Sequence, residues 1–236
     1  MPTMTGDPAA VGIVQQAADS LADLYRSGIT WEAFYTAVDR RRELWQRTWT
    51  GAVVPDELAE RARAAGRWRI LAITEPGCSD SANSLPYIAR LVAGVPTLEL
   101  RIVNSTAGRP WMEAHRTPDG RAATPTILLL DEQYRIRGCW VEQPAGLQSF
   151  WLDVVARGAQ SREIERKMTW YQEDAGRETL TELVQILEAA HRGGTVCPGA
   201  TGSDERTARA HQVRMRSSSA SISSFILLSS SPFDTQ

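Results

Sequence analysis

The stretch WRILAITEPGCSDSANSLPYIARL, residues 68–91, changes its period in the middle. From Trp68 to Thr74 the apolar residues first alternate and then run on, with β-branched Ile70 and Ile73, which predicts a buried strand ended by the turn signal Glu75-Pro76-Gly77. After Cys78 the period becomes helical. Ser79, Asp80 or Ser81 can cap a helix that carries Leu85, Ile88, Leu91 and Val92 on one face. Pro86 removes one backbone donor inside it and predicts a kink. Downstream, TLELRIVN (97–104) alternates as a second strand, and a short helical or irregular stretch runs through Met112 and His115. TPTILLLD and YRIRGCWVE then read as a hairpin. Strand, helix, strand, connector, strand, strand and helix describe a mixed sheet with helices on its faces, an α/β class.

The flanks read as helices. From Ala9 the apolar positions Val11, Val14, Ala18, Leu21, Leu24 and Tyr25 recur at helical spacing until Gly28. Thr30 announces a second helix with Trp31, Phe34, Tyr35, Val38, Leu44, Trp45 and Trp49, and Pro55 opens a third that Gly66 closes. Beyond Pro144, one helix is expected through Phe150, Trp151, Val154, Val155, Ile164, Met168 and Tyr171, and another over TLTELVQILEAAHRGG. Past Gly193 the chain is rich in Ser, Thr, Gly and Arg without a sustained period, so disorder is expected there. The expected division is a helical N-terminal extension over 1–66, an α/β domain with C-terminal helices over 67–192, and a disordered tail over 193–236.

Composition narrows the function classes. With 236 residues, 42% hydrophobic, and eight Trp, the chain can bury a real core, and its net charge of −2 gives no electrostatic mandate for nucleic acid or an anionic membrane. No basic leader, apolar leader or membrane-length run is found, so a cytoplasmic, reducing compartment is expected, where a permanent disulfide would be unusual. Three cysteines, Cys78, Cys139 and Cys197, are too few for a disulfide framework. Cys139 reads as a sheet residue and Cys197 as a chance cysteine in the tail, with a long-range resolving role as the alternative. The basic residues are 25 Arg and a single Lys, Lys167, a skew read as coding bias. Arg40-Arg41-Arg42 reads as a solvated helix face, and Trp31, Trp45 and Trp49 as core. His115 and His191 are isolated, and no Cys/His spacing matches a zinc site, so no metal is expected. No Gly-rich phosphate loop calls for a nucleotide, and no cofactor is expected.

The chemistry centres on Cys78, which stands between a strand end and a helix N-terminus. Unpaired N–H groups and partial positive charge there favour a thiolate and hence a nucleophile. The inert alternative is a small buried thiol. Ala123-Thr124-Pro125-Thr126 places a proline at the head of a strand, where a missing N–H is tolerated and a cis bond can form.

Together, EPGCSDSANSLPYIARL and GRAATPTILLLDEQYRIRGCW resemble the thioredoxin superfamily, and WRILAITEPGCSDSANSLPYIARL with LELRIVN is similar to a bacterial branch carrying a helical N-terminal extension. The resemblance covers residues 67–142 well and extends loosely to about 191. It implies a thioredoxin-like fold, a central mixed sheet flanked by helices with N- and C-terminal helical extensions. It also implies a nucleophile at Cys78 and a substrate groove beside a cis-proline loop at Thr124 and Pro125.

The departures from that pattern are informative. Dithiol members carry a second cysteine three positions on, whereas the motif here is Cys78-Ser79-Asp80-Ser81, and a serine hydroxyl cannot resolve a mixed disulfide. Ser81 could donate a hydrogen bond to the Cys78 thiolate, and an external low-molecular-weight thiol could resolve the intermediate. Gly77 replaces the aromatic residue that often shields the nucleophile, which would loosen the substrate groove. Asp80 could cap the helix, repel the thiolate or shuttle a proton to a leaving sulfur. Two functions follow. One is a thiol–disulfide oxidoreductase or bacilliredoxin-like monothiol protein acting on protein or low-molecular-weight thiol and disulfide substrates. The other is a redox-inactive binding or scaffold module. An exposed Cys78 sulfur facing Pro125 favours the first, and one buried and turned away from Pro125 favours the second.

Overall fold

The residues from Trp68 to Thr74 form an inner strand of a four-stranded sheet in the computed structural model, which describes residues 19–200. The described chain begins with α1 (19–27), α2 (Trp31–Ala37), α3 (Arg42–Gly51) and α4 (Asp56–Ala64). The centre follows as β1 (Trp68–Thr74), α5 (Ser79–Gly94), β2 (Leu98–Asn104), α6 (Arg109–Ala114), β3 (Thr126–Leu130) and β4 (Ile136–Val141). It ends with α7 (Ala145–Ala156), α8 (Gln160–Asp174) and α9 (Arg177–His191). The apolar positions expected at Val11, Val14 and Ala18 and the tail over 201–236 lie outside the described residues.

Strand order is β2-β1-β3-β4, with β1 parallel to β2 and antiparallel to β3, and β3 antiparallel to β4. This is the α/β arrangement with a mixed sheet expected from the element order, and the central sheet flanked by helices that the resemblance implies. Successive side chains on a strand point to opposite faces, and the core divides accordingly. Ile70, Ala72, Leu100, Ile102, Ile127, Leu129 and Trp140 face α2–α5 and α9. Leu71, Ile73, Val103, Leu128, Leu130, Cys139 and Val141 face α1, α6 and the segment after α9. Fully burying a Leu or Ile contributes about 1.5–3 kcal/mol, so both faces are needed to hold the sheet. The N-terminal helices therefore share one apolar cluster with the sheet, joined also by Arg61 of α4 donating to Glu188 of α9 at 2.8 and 3.1 Å.

Three local expectations change. The second expected helix is two, α2 and α3, because Arg41 takes a left-handed conformation (φ 55°) between them. The helix expected from Phe150 through Tyr171 is also two, because Gly158 sits at φ +62°, which glycine adopts without the penalty a Cβ would incur. The first part of the expected disordered tail is ordered. Val196 bridges Gly138, and Val196 O and Pro198 O accept from Cys139 N and Val141 N, so the chain after α9 lies along the outer edge of β4. At the opposite edge Ile29 bridges Ile102 of β2. Both edges carry a short pairing segment, a protection that open sheet edges need.

Glu182 of α9 ties the two ends of this core. Its carboxylate accepts from Trp140 Nε1 of β4 at 2.6 Å and from Ala145 N at the start of α7 at 2.8 Å. Burial outweighs both hydrogen bonds and pushes its carboxyl up from 4.5 to about 8. A carboxyl raised in the folded state contributes its stability fully below the unfolded value and loses it as pH rises through the folded one. Urea midpoints should therefore fall between about pH 5 and about pH 8, and Glu182→Gln should flatten that decline. An unchanged slope in the variant would assign the decline to other groups.

Candidate functional site

The turn between β1 and α5 has backbone carbonyls that neither sheet nor helix can pair, and side chains of the N-terminal helices take them. Trp45 of α3, wholly buried, donates its indole N–H to Pro76 O at 2.9 Å, and Arg41 Nε donates to Gly77 O at 2.6 Å. Arg40 lies over Gly77, where an added Cβ would come within 3.2–3.3 Å of the guanidinium. Arg42 donates to the carbonyls of Tyr35, Thr36 and Val38 at the end of α2. The arginine run is thus a structural clamp although its side chains are exposed, which corrects the solvated-face reading.

That clamp delivers Cys78 to the N-cap of α5. Its Sγ accepts from Ser81 N at 3.4 Å, so the capping side chain is the cysteine itself and not Ser79, Asp80 or Ser81. Cys78 is the free cysteine, half-buried, and its thiol donates to Thr124 O at 3.1 Å. The Thr124–Pro125 peptide is cis. The structure thus brings together Gly77, Cys78, Thr124 and Pro125, four of the residues singled out in the sequence.

The cis-proline loop has its own bracing. Pro125 O accepts from Glu142 N at 2.8 Å, and Thr126 Oγ1 donates to Ala123 O at 2.8 Å. Glu142 has a left-handed backbone (φ 67°) and its buried carboxylate is held by both Arg121 terminal nitrogens at 2.6 and 3.0 Å. Arg121 also donates to Asp119 at 2.6 Å. Burial pushes the Glu142 carboxyl up, against the opposing pull of Arg121.

Ser81 and Asp80 have roles different from those expected. The Ser81 hydroxyl, fully buried, is paired with Thr74 Oγ1 at 2.5 Å, so only its backbone N–H serves the sulfur. Asp80 caps nothing. It is buried in the first turn of α5 and meets Lys167 Nζ of α8 at 2.7 and 2.9 Å and the Tyr171 hydroxyl at 2.7 Å. Lys167 also lies over the Trp151 ring, 4.2 Å from its centroid. Burial first and the Asp80 charge second raise the Tyr171 hydroxyl well above its ordinary value, so it remains a donor to Asp80. The single lysine of the chain is therefore a buried cation paired with Asp80, two residues after Cys78. A compact ammonium satisfies one carboxylate and one ring face, a geometry the planar guanidinium fork does not share. Sequence reading passed over Lys167, Tyr171, Arg40, Arg41 and the indole N–H of Trp45. The one detectable signal was the lone Lys among 25 Arg.

The other two cysteines form a disulfide, Cys139–Cys197, on the second face of the sheet. Cys139 is the buried sheet residue expected and is bonded besides, which corrects the chance-tail reading of Cys197, whose segment is held beside β4 by backbone pairing.

A family model described as Thioredoxin matches residues 28–161. The chain belongs to the thioredoxin family. Among solved thioredoxin-like structures, a protein of unknown function from Pseudomonas aeruginosa superposes with a TM-score of 0.57 at 21% identity, covering 72% of this chain and 97% of that one. An HIV epitope-scaffold protein superposes with a TM-score of 0.53 at 20% identity, covering 71% and 97%. At such identities the likeness is one of fold. No curated protein matches the sequence. Among the described residues, no helix is long and apolar enough to cross a membrane.

Removing one partner of a buried ion pair costs about 3–5 kcal/mol, because the other charge is left uncompensated. Lys167→Met should therefore lower stability by about that amount, and adding Asp80→Asn should recover much of it. Denaturant unfolding of both single variants and the double variant measures the coupling, and additive losses would contradict a mutually compensating pair.

Proposed function

We propose that this protein is a monothiol thiol–disulfide exchange protein with Cys78 as its nucleophile. The observation that carries the reading is the Cys78 sulfur at the N-cap of α5, 3.1 Å from Thr124 O and beside the cis Thr124–Pro125 bond. A sulfur in that position faces a loop whose backbone can pair with an extended substrate, the mode by which edge backbone groups recognise peptides. The Cys78 thiolate attacks a disulfide R–S–S–R′, forming Cys78–S–S–R and releasing R′–S⁻. The N–H of Ser81 is placed to stabilise negative charge on the Cys78 sulfur when that bond is later broken. The Ser81 hydroxyl is tied to Thr74 and is no thiol, so an external thiol R″–SH completes the cycle, giving R–S–S–R″ and Cys78–SH. The substrates are protein or low-molecular-weight disulfides, and the resolving thiol is a small molecule.

A second reading, a redox-inactive binding module, draws on the same Ser81–Thr74 pair, since no second sulfur stands at the end of the motif. Partner capture that survives Cys78→Ser would favour it.

An aromatic disulfide whose thiolate leaving group is coloured separates the two. The wild-type protein should release one equivalent and hold the other half as a mixed disulfide on Cys78, detected by intact mass. Ser81→Cys should release two equivalents and end as an internal disulfide, and Cys78→Ser should release none at the fast rate. A Cys78 that reacts no faster than the thiol of an unstructured peptide would overturn the exchange reading.

A further inference from the structure

On the face of the sheet opposite α5, three side chains far apart in sequence converge. One ring nitrogen of His115 and the sulfurs of Cys139 and Cys197 lie within 4.8 Å of one another. We propose that, once the Cys139–Cys197 bond is reduced, these three residues form a Cys2His site for one zinc ion. The site is separate from Cys78 and does not rest on the exchange function.

The backbone holds the two cysteines as a cross-strand pair. Cys139 N donates to Val196 O at 3.0 Å, Val141 N donates to Pro198 O at 3.1 Å, and the Cα atoms of Cys139 and Cys197 are 4.4 Å apart. None of these bonds involves sulfur, so breaking the disulfide leaves the two Cβ atoms side by side. Two thiolates on a tetrahedral zinc, each at about 2.3 Å, are separated by about 3.8 Å. Rotation about χ1 gives that separation without moving the strands.

The hydrogen bond of the histidine suits the same purpose. Its Nδ1 lies 2.8 Å from Trp111 O at the end of α6. A carbonyl only accepts, so Nδ1 carries the proton and Nε2 keeps its lone pair. Metal-bound histidines commonly have this arrangement, one nitrogen fixed by a carbonyl and the other turned to the ion. Cys139 is buried while His115 and Cys197 are half-buried, so the site has an apolar floor and an entrance from the surface. Three protein ligands of this type leave a fourth tetrahedral position for water.

The chemistry balances with a dithiol reductant. The dithiol supplies two electrons and two protons to the Cys139–Cys197 bond and becomes a disulfide itself. Zinc then replaces the two thiol protons, which pass to solvent, and His115 binds through a ring-nitrogen lone pair. The oxidised pair has no thiolate to offer and should bind no zinc. The pair thus exchanges a covalent clasp for a metal clasp on the segment after α9.

The test uses the full-length Cys78→Ser variant, so that Cys78 contributes no thiol. After reduction with a phosphine and removal of the reductant without oxygen, zinc is added and the retained metal is counted. One equivalent should be retained, and cobalt in its place should give thiolate-to-metal charge-transfer absorption. Without reduction, none should be retained. Cys197→Ser in the same background should abolish retention. His115→Ala keeps both cysteines and their ability to form the disulfide, and should weaken zinc affinity by at least about tenfold. Absence of retained zinc in the reduced protein, or retention unaffected by either substitution, overturns the proposal.

Discussion

The site depends on two backbone carbonyls. Pro76 O and Gly77 O lie in the turn that converts β1 into α5, where neither ladder nor helix supplies a donor, and a polar group left unpaired in a partly buried turn costs about 1–3 kcal/mol. The indole of Trp45 in α3 and the guanidinium of Arg41 just before it supply those donors. Once they do, the peptide preceding Cys78 has one orientation, Cys78 N donates to Glu75 O at 3.0 Å, and the sulfur becomes the cap of α5. The N-terminal helices thus act on the site as well as on the core. They share the apolar cluster of the sheet and hold the turn at the same time.

Behind Cys78 lies a buried polar layer that would be costly if any member were missing. Asp80, Lys167 and Tyr171 satisfy one another and join α5 to α8, while Glu142 and Arg121 hold the loop that carries the cis-proline peptide. Compensated charge of this kind contributes less to net stability than apolar packing does, but it fixes geometry, since a displaced partner leaves a charge unpaired. Three positions after Cys78 stands a serine locked to Thr74, so this position is committed to structural support.

The fold was readable where local period and burial agree. WRILAIT and TPTILLLD are continuous enough in apolar residues, and the helix after Cys78 regular enough, that the mixed sheet followed from their order. Cys78, Thr124, Pro125 and Gly77 could be singled out because a cysteine at a strand–helix junction and a proline at a strand head are local signals. The remainder of the site is made by contacts across long separations that leave no local trace. Lys167 meets Asp80 over 87 residues and Trp45 meets Pro76 over 31. An exposed arginine looks the same in sequence whether it is only solvated or, like Arg41 between α2 and α3, bonded to a distant turn. Asp80 misled because aspartate is favoured both at caps and in ion pairs, and the cap went to the neighbouring cysteine. The Cys139–Cys197 pair, separated by 58 residues, required knowing that the chain returns along β4 after α9.

Arg41 and Trp45 place the Cys78 sulfur through the turn, and Arg41 tests this with least disturbance, being exposed and outside the apolar core. The measurement is the second-order rate constant for Cys78 with a small uncharged disulfide, in wild type and in Arg41→Met, with melting temperatures recorded alongside. Loss of one charge-assisted hydrogen bond of about 1.4 kcal/mol corresponds to about a tenfold slower reaction if the bond is needed to place the sulfur. The account predicts that slowing in a protein that is still folded. An unchanged rate in a folded Arg41→Met protein would contradict it.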